Sequence, residues 1–339
     1  MQSPTHIDKP ASAPNGKVAS FRLIAEQLSS VRNLINQQLT SQANAGDINK
    51  LLEHISSRSG KMIRPGLVLL AGCCFGEISD KHISVAAIIE MIHNATLLHD
   101  DVIDEGKKRR GLPTINSLWG NESAVLLGDF MLSNVFKMCA QLESRVSDII
   151  ATAAVRLCKG ELRQVVQKHH WQLNEAEYID VITEKSAVLF STSCFLGGFL
   201  AGASESQAQS LADFGLNAGI AFQITDDLLD IVGDESKTGK TSGSDVDKHK
   251  LTLALIHLLK AVDEKEKNTI INSFLDRKDT QYDKNALLEI LGRHGSLEYA
   301  RSRAREYVAA AKQALTGLKQ SDAKDALIET AEFMTDRVS

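Results

Sequence analysis

Residues 85–104 read Val85-Ala86-Ala87-Ile88-Ile89-Glu90-Met91-Ile92-His93-Asn94-Ala95-Thr96-Leu97-Leu98-His99-Asp100-Asp101-Val102-Ile103-Asp104. Val85, Ile88, Ile89, Ile92, Leu97 and Leu98 keep helical spacing, which predicts a long helix with a buried face that runs out onto three carboxylates. The same spacing recurs upstream in Phe21, Ile24, Leu28, Val31 and Ile35. Period-two alternation, the mark of half-buried strands, is scarce. Proline placement agrees: Pro4, Pro10 and Pro14 crowd the first residues, Pro65 and Pro113 follow, and none comes later. Long helices can therefore run unbroken. The chain is expected to be all-α, with a flexible tail at residues 1–16 and one domain of long helices over 17–339. Helix breaks are expected at Gly46-Asp47, Gly106 to Gly111, Gly202 to Ser206, Gly233 to Gly243 and Gly292 to Ser296.

The composition, 43% hydrophobic and 24% charged, is that of a globular protein, and a net charge of −5 argues against a nucleic-acid partner held by charge. The five cysteines, Cys73, Cys74, Cys139, Cys158 and Cys194, are odd in number and lack the paired spacing of a zinc site, which fits a reducing cytoplasm. No stretch has the apolar length of a transmembrane helix.

Asp100, Asp101 and Asp104 have a counterpart in Asp226, Asp227 and Asp230. On a helix, positions i, i+1 and i+4 send three carboxylates toward one side, the first and last about 40° apart. Such crowding is unfavourable without a cation, and hard carboxylate oxygens suit Mg²⁺, which in turn keeps phosphate oxygens among its ligands. Each triad is expected to form an oxygen cage. Both follow apolar runs, Ala95 to Leu98 and Ala221 to Ile224, so each lies where a buried helix reaches its polar end.

Cations accompany them. Lys107, Lys108, Arg109 and Arg110 fill a loop just past the first triad, where guanidinium forks suit a diphosphate. Gly60-Lys61-Met62-Ile63-Arg64-Pro65 sets Lys and Arg three apart at a predicted helix start, another anion-favouring place. Lys185, Lys240 and Lys250 complete the set. Almost no candidate nucleophile stands beside a partnered general base, which suits a reaction in which diphosphate leaves and the protein stabilises charge.

With these motifs the chain resembles the trans-isoprenyl diphosphate synthases, nearest to the bacterial octaprenyl enzymes, from about Ser59 to the C-terminus. The resemblance is carried by Gly60-Lys61-x2-Arg64-Pro65, Leu97 to Asp104, Arg109-Arg110-Gly111, Gly128-Asp129-Phe130, Lys185-Ser186 and Gly219-x2-Phe222-Gln223-x2-Asp226-Asp227-x2-Asp230. It implies a helical bundle around a central cavity and two triads holding about three Mg²⁺ ions on an allylic diphosphate. Arg109, Lys185 and Lys240 would grip that diphosphate, and Lys61, Arg64, His93 and Arg110 would hold isopentenyl diphosphate. Ser186, standing where the family usually has threonine, would help Gln223 stabilise a carbocation. The family's Gly-Lys-x-Thr-Leu-Pro appears as His249-Lys250-Leu251-Thr252-Leu253-Ala254, which leaves the role of Lys250 open. A homodimer is implied.

The resemblance also implies that product length is set five residues before Asp100. Ala95 stands there with Thr96 beside it, and neither is an aromatic plug, so a long, roughly octaprenyl product is expected, with Phe136 or Met138 as the floor. The rivals are a short-chain farnesyl or geranylgeranyl synthase, a terpene cyclase, disfavoured by the intact second triad, and a non-catalytic subunit, disfavoured by six retained aspartates.

Overall fold

The computed structural model describes residues 19–40, 46–56, 60–109, 111–233, 246, 249–276 and 283–335. Helices dominate, as expected. A 3-10 turn at Ala19–Ile24 leads into α1 (Ala25–Thr40), followed by α2 (Gly46–Ser56), α3 (Ile63–Cys73), α4 (Asp80–Ile103) and α5 (Ile115–Cys139). Next come α6 (Ser144–Val166), α7 (Glu175–Ile182), a π-helical turn at Thr183–Ala187, α8 (Val188–Leu200) and α9 (Glu205–Val232). The C-terminal part holds α10 (Leu253–Ala261), α11 (Glu264–Ile270) with a π-helical turn at Ile271–Leu275, α12 (Lys284–Arg293), α13 (Ser296–Ala314) and α14 (Asp322–Thr335). Two expectations are corrected. Gly46-Asp47 opens a helix instead of breaking one, and the loop after the first triad contains a minimal antiparallel ribbon, β1 (Lys108–Arg109) with β2 (Leu112–Pro113).

The helix that decides the fold starts as capping rules require: the Ser79 and His82 side chains reciprocally satisfy the first turn of α4. From Val85 to Met91 α4 is buried on every side, including Glu90 at 3% exposure. A helix apolar all round belongs in the centre of a bundle. It packs against α1, α3, α5 and α8. Ser204 and Gln207 cap α9 in the same way. The first half of α9 (Leu211, Phe214, Ala218) joins the apolar cluster around α3, α4 and α8, while Ile224, Leu228 and Ile231 join a second cluster with α10 and α13. The second triad is thus carried on the helix that spans both clusters.

No helix among the described residues is long and apolar enough to cross a membrane. The five cysteines are free thiols, and burial pushes Cys74 up to about 12, which makes a thiolate there unfavourable.

Candidate active site

The π-helical turn Thr183–Ala187 is the hub of the site. A π-turn widens a helix locally and is often found where function demands a displaced side chain. It lies between α6 and α9, and both approach it through glycine. A Cβ on Gly160 would stand 2.4 Å from the backbone nitrogen of Lys185, and one on Gly219 would stand 2.7 Å from Cα of Ala187. Only glycine permits contacts this short.

Consecutive residues of this turn then face different triads. Lys185 Nζ donates to Glu161 Oε2 at 2.7 Å and Gln164 Oε1 at 3.0 Å, and stands 3.9 Å from Oδ2 of Asp100. Burial alone would depress this ammonium; the Asp100 and Glu161 carboxylates outweigh it and hold Lys185 above the usual lysine range. Burial, reinforced by the Asp100 charge, pushes the Glu161 carboxyl upward even though Lys185 opposes the shift. Ser186 Oγ donates to Gln223 Oε1 at 2.7 Å, and Gln223 Nε2 donates to Asp227 Oδ1 at 2.7 Å. Tyr178 Oη donates to the other oxygen of Asp227 at 2.7 Å.

The first triad divides. Asp101 is 3% exposed, and its Oδ1 accepts from Nε and from Nη2 of Arg109, each at 2.8 Å. That fork-like grip fixes the ribbon β1–β2 against the end of α4. Asn116 adds a 3.0 Å bond to the Asp101 carbonyl. Asp104 instead meets Lys250, whose Nζ lies 2.7 Å from its Oδ2 across 146 residues of sequence. Among the described residues no group of three His, Cys, Asp or Glu side chains already stands together as a metal site. Arg109 and Lys250 pair with Asp101 and Asp104, while the neutral Tyr178 and Gln223 donate hydrogen bonds to Asp227.

At the other cationic site, Met62 takes a left-handed φ of 53° and turns the chain into α3. Lys61 Nζ then lies 4.9 Å from the Phe333 ring on α14, and the Arg64 guanidinium 4.5 Å from the Phe190 ring on α8. Both are cation–π distances. Phe190 in turn lies 5.4 Å from Phe222, the residue before Gln223. His93 is half-buried on α4, two turns before Asp100, and its carbonyl accepts from Thr96 Oγ1 at 2.9 Å. Asp226 and Asp230 sit half-buried on α9. Arg110 and Lys240 lie outside the described residues.

The chain-length expectations fare unequally. Ala95 is fully buried on α4, but Phe136 is 70% exposed and does not floor a cavity in this chain. Its exposure follows from helix geometry: it lies seven residues, or two turns, after Asp129, which also faces solvent. Met138 is buried in the core. A cavity of about 110 Å³ does adjoin the first triad, but it opens along the stripe Glu90, Asn94, Leu97 and Asp101 against Ile35 and Leu39 of α1, and Ala95 does not line it.

Glu161, Gln164 and Tyr178 escaped the sequence reading because their partners are 24, 21 and 49 residues away, beyond any local pattern. Lys250 was recognised but not placed.

Comparison with known proteins follows the same lines. Residues 46–291 match the profile of the family described as Polyprenyl synthetase. The chain is 36% identical over 316 residues to the octaprenyl diphosphate synthase of Escherichia coli, covering 93% of this chain and 97% of that one. It is 35% identical over 290 residues to a short chain isoprenyl diphosphate synthase of Methanothermobacter thermautotrophicus, covering 84% and 89%. A polyprenyl synthase from Caulobacter crescentus, solved in complex with calcium and isoprenyl diphosphate, superimposes with a TM-score of 0.89 at 31% identity, covering 96% of this chain and 100% of that one. The chain belongs to the polyprenyl synthetase family of trans-isoprenyl diphosphate synthases.

Proposed function

We propose that the chain adds isopentenyl diphosphate repeatedly, head to tail, to an allylic diphosphate such as farnesyl diphosphate, with Mg²⁺, and reaches a product of roughly octaprenyl length. The observation that carries this reading is the split of one π-turn between the two triads, with Lys185 beside Asp100 and Ser186 bonded to Gln223 on α9.

The donor set fits Mg²⁺. Asp100, Asp101, Asp104, Asp226, Asp227 and Asp230 offer hard oxygens alone, with Asp101 held by Arg109 and Asp104 by Lys250 until substrate arrives. About three ions would sit between these carboxylates and the substrate's diphosphate, supplying Lewis-acid neutralisation of the charge that builds on the leaving group. The chain's own cations do the same from the protein side. Lys185, Lys250 and Arg109, joined by Lys240, would exchange their carboxylate partners for diphosphate oxygens when substrate arrives. Because they are already placed, little reorganisation is needed as charge develops.

Ionisation leaves an allylic cation. The Ser186 hydroxyl and Gln223 carboxamide present oriented dipoles to it, and the Phe190–Phe222 wall excludes the water that would quench it. Lys61, Arg64, His93 and Arg110 hold isopentenyl diphosphate so that its π-bond attacks the cation. The resulting cation then loses a proton to the released diphosphate.

Ala95, small and fully buried below the first triad, supports the long product, whereas similarity to a short chain synthase supports the competing reading. Exposed Leu126 and Phe136 on α5, with Val155 and Leu162 on α6, support a homodimer that would cover them. Product chromatography after incubation with farnesyl diphosphate and labelled isopentenyl diphosphate, with and without a chelator, tests the reading. Metal-dependent products near forty carbons are expected. Products that stop at twenty carbons overturn the long-chain part, and condensation that persists with chelator overturns the metal part.

A further inference from the structure

His249 directly precedes Lys250, and its φ of 57° lies in the left-handed region. For a residue with a side chain this conformation is strained and persists only where the surroundings enforce it. The surroundings do so in three ways. The backbone N–H of His249 donates to the carbonyl of buried Val246 at 3.1 Å. Its Nδ1 lies 2.6 Å from the carbonyl oxygen of Leu275, buried at the end of the second π-turn. A carbonyl only accepts, so Nδ1 carries the proton. Finally, its ring lies on the ring of His169, with centroids 4.2 Å apart and planes tilted by 31°.

His169 belongs to the connection between α6 and α7, and it too is left-handed, at φ 64°. Its Nδ1 is 3.5 Å from Asp276 Oδ1, and Trp171 meets both rings edge-on, 5.7 Å from His169 and 6.3 Å from His249. Two segments distant in sequence thus each hold a strained, non-glycine residue where their rings meet. Strain of this kind collects at sites whose geometry must be fixed.

We propose that the His169–His249 ring stack is a positioning latch: it fixes the left-handed turn at His249 and so aims Lys250 at Asp104 and at the allylic diphosphate. The proposal rests on the prenyl-transfer reading. Lys250 is only 11% exposed, its ammonium 2.7 Å from Asp104. A lysine has four rotatable side-chain bonds, so its aim depends on the backbone that carries it. Rotating the backbone at residue 249 would redirect the chain entering Lys250, and misplacement by about 1 Å can cost about a hundredfold in rate. His169, Trp171 and His249 touch no substrate in this account; they act through Lys250.

The test uses the full-length enzyme with farnesyl and isopentenyl diphosphates. His169→Ala removes the stacking partner, His169→Phe keeps a ring, and His249→Gly keeps the left-handed backbone but loses both anchors. Each is measured alone and together with Lys250→Ala, with melting temperature recorded alongside. His169→Ala and His249→Gly are expected to lower kcat/KM for the allylic substrate roughly tenfold, to leave KM for isopentenyl diphosphate unchanged, and to add nothing once Lys250 is alanine. His169→Phe is expected to recover most of the loss. Losses that multiply with Lys250→Ala, or a His169→Phe variant as impaired as His169→Ala, overturn the latch while normal wild-type condensation leaves the prenyl-transfer reading intact. A wild-type enzyme that forms no prenyl product overturns both.

Discussion

Ser186 Oγ donates a 2.7 Å hydrogen bond to Gln223 Oε1, and this single bond fixes which end of the Gln223 carboxamide points at Asp227. With its oxygen held by Ser186, the amide must present its nitrogen to the carboxylate. Ser186→Ala frees the amide to rotate. A neutral hydrogen bond contributes about 1 kcal/mol, so kcat should fall about fivefold with little change in KM for either substrate. Ser186→Thr keeps the hydroxyl and should restore the rate. Steady-state kinetics of the two variants checks the bond, and an alanine variant at wild-type rate contradicts it.

Gly160 is where α6 touches the backbone of Lys185. A methyl group there would need to occupy space 2.4 Å from a main-chain nitrogen, which cannot swing aside as a side chain would. Gly160→Ala should destabilise by about 1–3 kcal/mol through overpacking and should also draw Glu161 away from Lys185. Urea unfolding measures the first effect and kcat the second. Loss of stability with full activity would show that Glu161 does not need to reach Lys185.

His82 gives the fold a pH dependence of known sign. It is fully buried, its Nε2 donating to the Gly197 carbonyl at 3.1 Å and its Nδ1 accepting from Ser79 N at 3.1 Å. Burial pushes its pKa below the usual histidine value, and the Gly197 carbonyl only partly offsets this. The unfolded chain therefore binds the proton more readily. Stability is complete above the unfolded pKa of about 6.5 and declines as pH falls below it. His82→Gln cannot take up the proton and should flatten the fall in urea midpoint between pH 7 and pH 5. An unchanged slope contradicts the assignment.

Ala95→Phe should shift the product distribution toward shorter chains. The variant also tests for room at that point. A ring that enters a tunnel leaves stability nearly unchanged, whereas a ring forced into a close-packed site costs about 1–3 kcal/mol. Chromatography of products and a melting curve on the same preparation distinguish the two.

Much of this was legible in the sequence, for physical reasons. The helical period around Val85 and the absence of proline after Pro113 sufficed for an all-α fold, because both act through local backbone geometry. The aspartate triads were visible because helical spacing alone brings them to one side. What the spacing could not show was which partners hold the carboxylates, since Lys250 and Tyr178 reach them from distant parts of the chain. Phe136 misled because an aromatic residue in an apolar run reads as core, while only its position around α5 shows that it faces outward. His169 and Trp171 carried no recognisable pattern because their partner, His249, is eighty residues away.

The most direct test of the two-triad account is the rate at which Asp226→Ala condenses farnesyl diphosphate with labelled isopentenyl diphosphate at saturating Mg²⁺. The account predicts a loss of about a thousandfold or more, since the variant removes electrostatic stabilisation needed chiefly in the transition state. Turnover within a few-fold of wild type would contradict it.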